Sequence, residues 1–185
     1  VLIPSSVTEI GNEAFDNCEN LMNVELPSGI TEIGRSAFYN CENIMDIKLP
    51  SSLTEIGGNA FSNCRSLTNI ELPFGIIEIR ESAFSNCTSL TSIEIPSSVI
   101  EIGNEAFYNC ENITDIELPS DLRKIGSNAF SSCTSLTSVL IPSNVTEIGG
   151  GAFYGCINAE IKLPGYMQEW DVSDFIDEET KYSFY

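Results

Sequence analysis

A spacing of 23 residues recurs along almost the whole of this 185-residue chain. Cysteine, phenylalanine and proline each return seven times at this spacing. The three series are Cys18, Cys41, Cys64, Cys87, Cys110, Cys133 and Cys156; Phe15, Phe38, Phe61, Phe84, Phe107, Phe130 and Phe153; and Pro4, Pro27, Pro50, Pro73, Pro96, Pro119 and Pro142. A fixed period of this length predicts a solenoid, in which one supersecondary unit stacks on copies of itself. Most of the repeating residues then serve the stacking, so function has to be sought where the pattern breaks.

Each unit contains two stretches in which apolar and polar residues alternate. In the third unit, the apolar residues between Leu67 and Leu72 predict a short strand with alternate side chains inward. Pro73 ends this strand, because proline has no N–H group to offer a neighbouring strand. Residues 53–56 form the second extended stretch, and residues 60–64 suffice for a single helical turn. The sequence therefore predicts coils that are mainly β, with short helical or 3₁₀ turns.

The run L-x-x-I-x-L-P-x-x-L-x-x-I-G-x-x-A-F-x-x-C recurs seven times between Val1 and Pro164. It resembles the BspA-like, or Treponema pallidum-type, leucine-rich repeat family. The resemblance implies a right-handed, curved solenoid, here of seven 23-residue coils. It also implies an extracellular or cell-surface location, because many members look like surface or secreted proteins that anaerobic bacteria and parasitic protists use for adhesion. The chain begins in mid-repeat, so we expect it to be a piece of a longer protein.

The C-terminal segment departs from the repeat. We expect one continuous domain, in which residues 1–164 form the array and residues 165–185 form a degenerate eighth repeat that acts as a C-terminal cap. Counted from Pro164, three large apolar residues of this segment fall on inward positions: Met167, Trp170 and Phe175. Phe175 would then hold the position of the periodic phenylalanine. A ligand-stacking role for Trp170 is the alternative.

The cysteines predict buried free thiols rather than a reactive or metal-binding site. The chain contains no histidine, so a Cys/His zinc site or a Cys–His catalytic pair is excluded. The odd number of cysteines and their shared inward direction argue against systematic disulfide pairing. Because the sequence also has no phosphate-binding loop, we expect neither an enzyme nor a cofactor.

The charge excludes some partners. The chain has 27 acidic and 8 basic residues and a net charge of −19, so nucleic acid and anionic membranes are unsuitable partners. No apolar run approaches the roughly 20 residues of a membrane span, so we expect no membrane insertion. Glutamates recur at two outward positions of the repeat, for example Glu55 and Glu71. A solvated face explains these columns, and a cation-binding stripe is the alternative.

Two outward surfaces are candidate binding sites. In leucine-rich repeats the L-x-x-L-x-L strand lines the concave surface, which solenoids use for partners. The outward residues that we favour on this strand are Asn69, Glu71, Ser92, Glu94, Asp115 and Glu117. The alternative is an apolar patch of Phe74, Ile77 and Ile100, where other coils mostly carry Ser or Thr. Harmless sequence drift would also explain these three residues.

Two functions remain open. One is a non-catalytic, adhesive module that binds a protein or glycan ligand, and the other is a passive spacer that presents another domain of a longer surface protein. The sequence does not indicate the ligand or the oligomeric state.

Overall fold

Parallel strands from successive coils form the walls of the protein in the computed structural model, which describes residues 1–185. We number the coils 1 to 7 by their periodic cysteine, so that coil 1 contains Cys18 and coil 7 contains Cys156. One side of the solenoid, the short-strand face, carries seven two-residue strands. They are β1 (Glu9–Ile10), β2 (Glu32–Ile33), β3 (Glu55–Ile56), β5 (Glu78–Ile79), β7 (Glu101–Ile102), β8 (Lys124–Ile125) and β10 (Glu147–Ile148). Each strand turns its isoleucine towards the core and its charged residue towards solvent.

The second wall, the long-strand face, is built from strands of three or four residues. They are β4 (Asn69–Glu71), β6 (Ser92–Glu94), β9 (Ser138–Leu140), β11 (Glu160–Leu163) and β12 (Lys181–Phe184). These strands also pair in parallel, and single bridges at Asp115 connect β6 through coil 5 to β9. The two extended stretches predicted for each unit are therefore confirmed, and the chain is a parallel β-solenoid.

The core between the two faces consists of columns, one for each inward position of the repeat. The rings from Phe15 to Phe153 form one column, in which neighbouring centroids lie 5.1–5.6 Å apart and planes are within 9° of parallel. A single coil cannot enclose such a ring, so its burial depends on the coils on either side. Since burying one large apolar side chain is worth about 1.5–3 kcal/mol, the stability of the array arises between coils.

The corner that carries each phenylalanine is not the predicted helical turn. In coil 3 it is a series of turns in which backbone N–H groups donate to the carbonyl three residues earlier. Asn59 and Asn63 have φ angles of 59° and 60°, a left-handed conformation that a helix excludes and that asparagine adopts more readily than most residues. The N–H of Phe61 is thereby free to donate to the carbonyl of Ala83 in coil 4, at 2.8 Å. The corners thus form a third hydrogen-bonded ladder.

A column of glycines determines how closely the coils approach on the short-strand face. Glycine follows the isoleucine of the short strand in coils 1 to 7, except in coil 4. A Cβ atom on Gly57 or Gly103 would lie 2.5 or 2.7 Å from a backbone nitrogen of the preceding coil. Coil 4 carries Arg80 at this position, and there the ladder is interrupted between β3 and β5. We call this interruption the seam.

Residues 165–185 lie against coil 7. They contain the two helices of the structure, both 3₁₀, Gly165–Glu169 and Val172–Asp174, followed by β12. Met167 is buried and Trp170 is partly buried against the core. Neither helix has the length and hydropathy that crossing a membrane requires.

The prediction that Phe175 holds the position of the periodic phenylalanine is wrong. The N–H of Phe130 donates to the carbonyl of Ala152 in the next coil. The N–H of Phe153 makes the equivalent bond to the carbonyl of Phe175, so Phe175 takes the place of the alanine. Phe175 is buried at the alanine position, and Ile176 follows at the phenylalanine position. The count from Pro164 used the spacing of earlier coils, but residues Gly165–Glu169 form a 3₁₀ helix. A 3₁₀ helix advances about 2.0 Å per residue and a strand about 3.3 Å, so the segment needs more residues to reach the corner.

The corner ladder ends on a side chain. In coil 7 the N–H of Gly155 donates to the carboxylate of Asp177, where earlier coils use a backbone carbonyl. The N–H and hydroxyl of Thr180 donate to the same carboxylate, at 2.9 and 2.7 Å. Burial alone would raise the pKa of Asp177, but these hydrogen bonds outweigh it and hold the pKa below its ordinary value. The role of residues 165–185 as a cap stays a prediction.

Candidate functional site

The six residues favoured on the long-strand face lie on three consecutive coils. All six are exposed, and the isoleucine between the members of each pair is buried. Strand pairing places Glu71 beside Glu94, and a single bridge places Asp115 beside Ser92. We call this set the acidic strip: Asn69, Glu71, Ser92, Glu94, Asp115 and Glu117. Because paired strands lie about 4.8 Å apart, the structure brings four carboxylates onto one small surface.

The acidic strip has no positive charge of its own. Every salt bridge of the protein lies outside it. Lysines stand at the same repeat position farther along the face, Lys48 in coil 2 and Lys162 in coil 7. The strip therefore presents unpaired negative charge to solvent, with Lys48 in the adjoining coil on one side and Leu140 between it and Lys162 on the other.

The apolar patch lies at the seam. Phe74 is 77% exposed, Ile77 61% and Ile100 43%, and the N–H of Ile100 donates to the carbonyl of Ile77 at 3.0 Å. At the position of these isoleucines, the threonine hydroxyls of coils 2, 3 and 7 donate back to the preceding coil. Isoleucine has no hydroxyl group, so Ile77 and Ile100 lack this hydrogen bond between coils and expose apolar surface instead.

The glutamates of the short-strand face form a column of like charges. Glu32 is paired in register with Glu9 on one side and Glu55 on the other. Lys124 interrupts the column and lies 3.0 Å from Glu101, whose hydrogen bond and charge raise the pKa of Lys124. No group of three or more Cys, Asp or Glu side chains lies close enough together to hold a metal ion.

The periodic cysteines are free thiols, buried in coils 2 to 7 and partly buried in coil 1. The Sγ atom of Cys87 donates to the carbonyl of Phe61 in the preceding coil at 3.2 Å, and the other buried thiols do the same. Burial raises the pKa of Cys41 to about 11 and that of Cys110 to about 12. These groups are poor nucleophiles near neutral pH, since the thiolate is the reactive form.

Two further residues shape the surface, and of these only Arg80 was missed in the sequence. Arg80 opens the seam beside the apolar patch and forms a salt bridge of 3.0 Å with Glu55 across it. Leu140 is an exposed apolar residue at a position of the long-strand face that is charged in the other numbered coils and is Leu2 ahead of coil 1. Both break a column of the repeat: Leu140 breaks the outward glutamate column, which the sequence already shows, and aligning the glycine position of every coil reveals Arg80.

The fold and its faces define a leucine-rich repeat solenoid. The family model for the BspA type leucine rich repeat region matches in 6 copies, over residues 1–84 and 54–180. The chain therefore belongs to the BspA-type leucine-rich repeat family, as the repeated run suggested. A comparison with curated proteins finds no match.

Solved structures agree with this family. A leucine-rich repeat protein of Treponema pallidum is 34% identical with a TM-score of 0.82, over 86% of this chain and 77% of that one. A leucine-rich repeat protein from Bacteroides ovatus is 29% identical with a TM-score of 0.80, over 100% of this chain and 53% of that one. A leucine rich cell surface protein from Faecalibacterium prausnitzii is 28% identical with a TM-score of 0.59, over 98% and 59%. The chain spans about half the length of the Bacteroides protein.

Proposed function

We propose that this protein is a non-catalytic binding module that attaches a cell surface to a protein or glycan ligand. The acidic strip carries the proposal, since it places four unpaired carboxylates on three consecutive coils of a regular wall. The kinship with a cell surface protein of Faecalibacterium supports an extracellular or cell-surface location. The partner on this surface is basic, because exposed carboxylates select for cations and repel anions.

The test is a binding screen against basic and neutral matrix proteins and a glycan panel. Glu71→Gln, Glu94→Gln and Glu117→Gln together remove three charges from the strip. Changing three short-strand glutamates to Gln (Glu9, Glu32 and Glu147) is the matched control, because the net charge changes equally. We expect binding to weaken as salt rises and to be lost only in the strip variant. Equal losses in both variants would mean that net charge, and not the strip, attracts the partner.

The apolar patch is a second candidate site, because three large apolar side chains lie exposed beside the seam. Ile77→Thr with Ile100→Thr restores the residue of most other coils, whose hydroxyl donates to the preceding carbonyl. Binding through the patch would be nearly independent of salt and lost in this variant. If neither surface variant affects any partner in the screen, the spacer function gains support. In that case, a full-length parent protein should tolerate replacement of this segment by another of equal length.

A further inference from the structure

Clefts between adjacent coils lie along the edge of the long-strand face, where the chain leaves each strand for the proline turn. The cleft between coils 1 and 2 has a volume of about 570 Å³ and carries Glu25 and Lys48 at its mouth. The equivalent cleft between coils 5 and 6 has about 530 Å³ and carries Glu117 and Leu140. The two clefts are similar in size and position, so their chemistry depends on these outward side chains.

The cleft between coils 5 and 6, which we call the Leu140 cleft, is apolar on one side and acidic on the other. Leu140 is 53% exposed, and Ile116, Leu118 and Pro142 also line the cleft. At its rim the side-chain amide of Asn144 donates to the carbonyl of Ser120 at 2.8 Å. Because the Asn144 amide and the Ser120 carbonyl are already hydrogen-bonded to each other, a ligand in the cleft mainly contacts the apolar side chains.

The charges around the cleft differ along the axis of the solenoid. Glu117 stands on the coil 5 side, next to the rest of the acidic strip. Lys162 is paired in register with Leu140 on the coil 7 side. A ligand with an apolar group in the cleft is therefore attracted through a cation directed at Glu117, and a cation on the opposite side is repelled.

We propose that the Leu140 cleft is an anchor site for an apolar side chain of the partner that is flanked by a lysine or arginine. The cation contacts Glu117, and the aromatic or aliphatic group packs on Leu140. This deepens the proposed function and rests on it, because it defines which basic segment the long-strand face accepts. A central apolar anchor with a charged rim is the usual arrangement of binding energy at a protein interface.

The proposal is tested with two probes that share a ring and differ in charge, phenethylamine and phenylacetate. Each is titrated into the full chain at concentrations on the order of millimolar, and the leucine methyl signals are followed by NMR. We expect phenethylamine to shift the Leu140 methyl signals and phenylacetate to leave them unchanged. Glu117→Gln should weaken the affinity for phenethylamine. Equal shifts from both probes, or none at Leu140, would overturn the proposal.

Two substitutions at the same repeat position separate the cleft from the rest of the face. Leu140→Gln removes the apolar group without adding a charge, and it should lower the affinity for phenethylamine by at least about tenfold. Lys48→Leu places a leucine between Glu25 and Glu71, and it should create a second phenethylamine site in coil 2. If Lys48→Leu creates no such site, a leucine beside a glutamate is not enough to bind phenethylamine, which contradicts the proposed basis of the anchor.

The partner from the binding screen distinguishes this proposal from the broader one. If Leu140→Gln leaves partner affinity unchanged while the strip variant loses it, the anchor is wrong and the binding module stands. If phenethylamine binds as expected and every partner fails, the cleft stands as a site and the proposed function does not.

Discussion

At the residue scale, the periodic cysteine and phenylalanine act as a pair across neighbouring coils. The Sγ atom of Cys110 donates to the carbonyl of Phe84 at 3.1 Å, inside a core that is otherwise apolar. A thiol suits this position because it is small, apolar in character and a weak donor. Alanine would leave the carbonyl without this partner, so size alone does not explain the period of cysteine.

The thiols should differ in reactivity according to their coil. A thiol reagent added to the native protein near neutral pH should label Cys18, which is partly buried, well before the six others. Burial raises the pKa of Cys41 from 9.0 to about 11, so the unfolded chain ionises first as the pH rises. Stability should therefore hold up to pH 9 and decline between 9 and about 11. Rapid labelling of several thiols in the native protein would contradict their burial.

A phenylalanine in the middle of the ring column should matter more than one at its end. Phe84→Ala removes a buried ring that stacks on Phe61 and Phe107, and it should lower the free energy of unfolding by about 3–5 kcal/mol. Phe15→Ala should cost less, because Phe15 is partly buried and stacks only on Phe38. Urea unfolding of the two variants measures the difference, and equal losses would show that the column does not share its packing between coils.

At the scale of elements, the sequence predicted the strands and core columns but missed the backbone conformation of the corners and the contacts between coils. The two strands of each coil and the inward columns follow from alternation and period alone. The length of residues 60–64 predicted a single helical turn, while the left-handed conformation of Asn59 and Asn63 was overlooked. The seam at Arg80 depends on contact between coils, which no single repeat displays.

The glycine column should be sensitive to a single methyl group. Gly103→Ala would put a Cβ atom 2.7 Å from the nitrogen of Glu81, and we expect a loss of about 1–3 kcal/mol in the free energy of unfolding. Gly11→Ala is the matched control, because nothing lies within 4 Å of its Cβ position. Arg80→Gly should close the seam and increase hydrogen-exchange protection at residue 80. If protection at residue 80 does not change, the absence of glycine at this position is not the cause of the seam.

The C-terminal segment should behave as a cap. Removing residues 165–185 exposes the buried Leu163 and the end of the corner ladder, so we expect aggregation or a much lower melting temperature. A truncated protein that stays monomeric and melts at the same temperature would contradict this role.

Asp177→Ala tests the same end of the ladder without deleting it. The variant should melt below the parent protein at neutral pH, because Gly155 and Thr180 lose an acceptor. The pKa of Asp177 is lowered on folding, so its contribution is present above the unfolded pKa and is lost as the pH falls through the folded one. The two melting temperatures should therefore converge in acid.

At the scale of the whole molecule, the charge of −19 is arranged in columns that repel themselves. Glu32→Lys should relieve this as Lys124 does, since a lysine there could pair with both Glu9 and Glu55. We expect the melting temperature to rise by about 1–3 °C at low salt, and the gain to shrink as salt screens the charges. A gain that is independent of salt would point to packing instead of charge.

The surface of the molecule was harder to predict than its interior. The outward direction of the six strip residues follows from alternation, and the structure places all six on the surface. The unpaired state of their carboxylates and the apolar Leu140 cleft depend on neighbours 23 residues away, which only the stacked coils bring together.

The seam also determines how the protein responds to force. Elsewhere the short-strand ladder joins each coil to the next, whereas coils 3 and 4 have no pairing between β3 and β5. Tension applied along the solenoid axis is therefore carried at this junction by the corner ladder and by the pairing of β4 with β6, with no backbone pairing on the short-strand face. If the ends of the chain are pulled apart, the short-strand face should open first beside Arg80, and the apolar patch would be the surface nearest the opening.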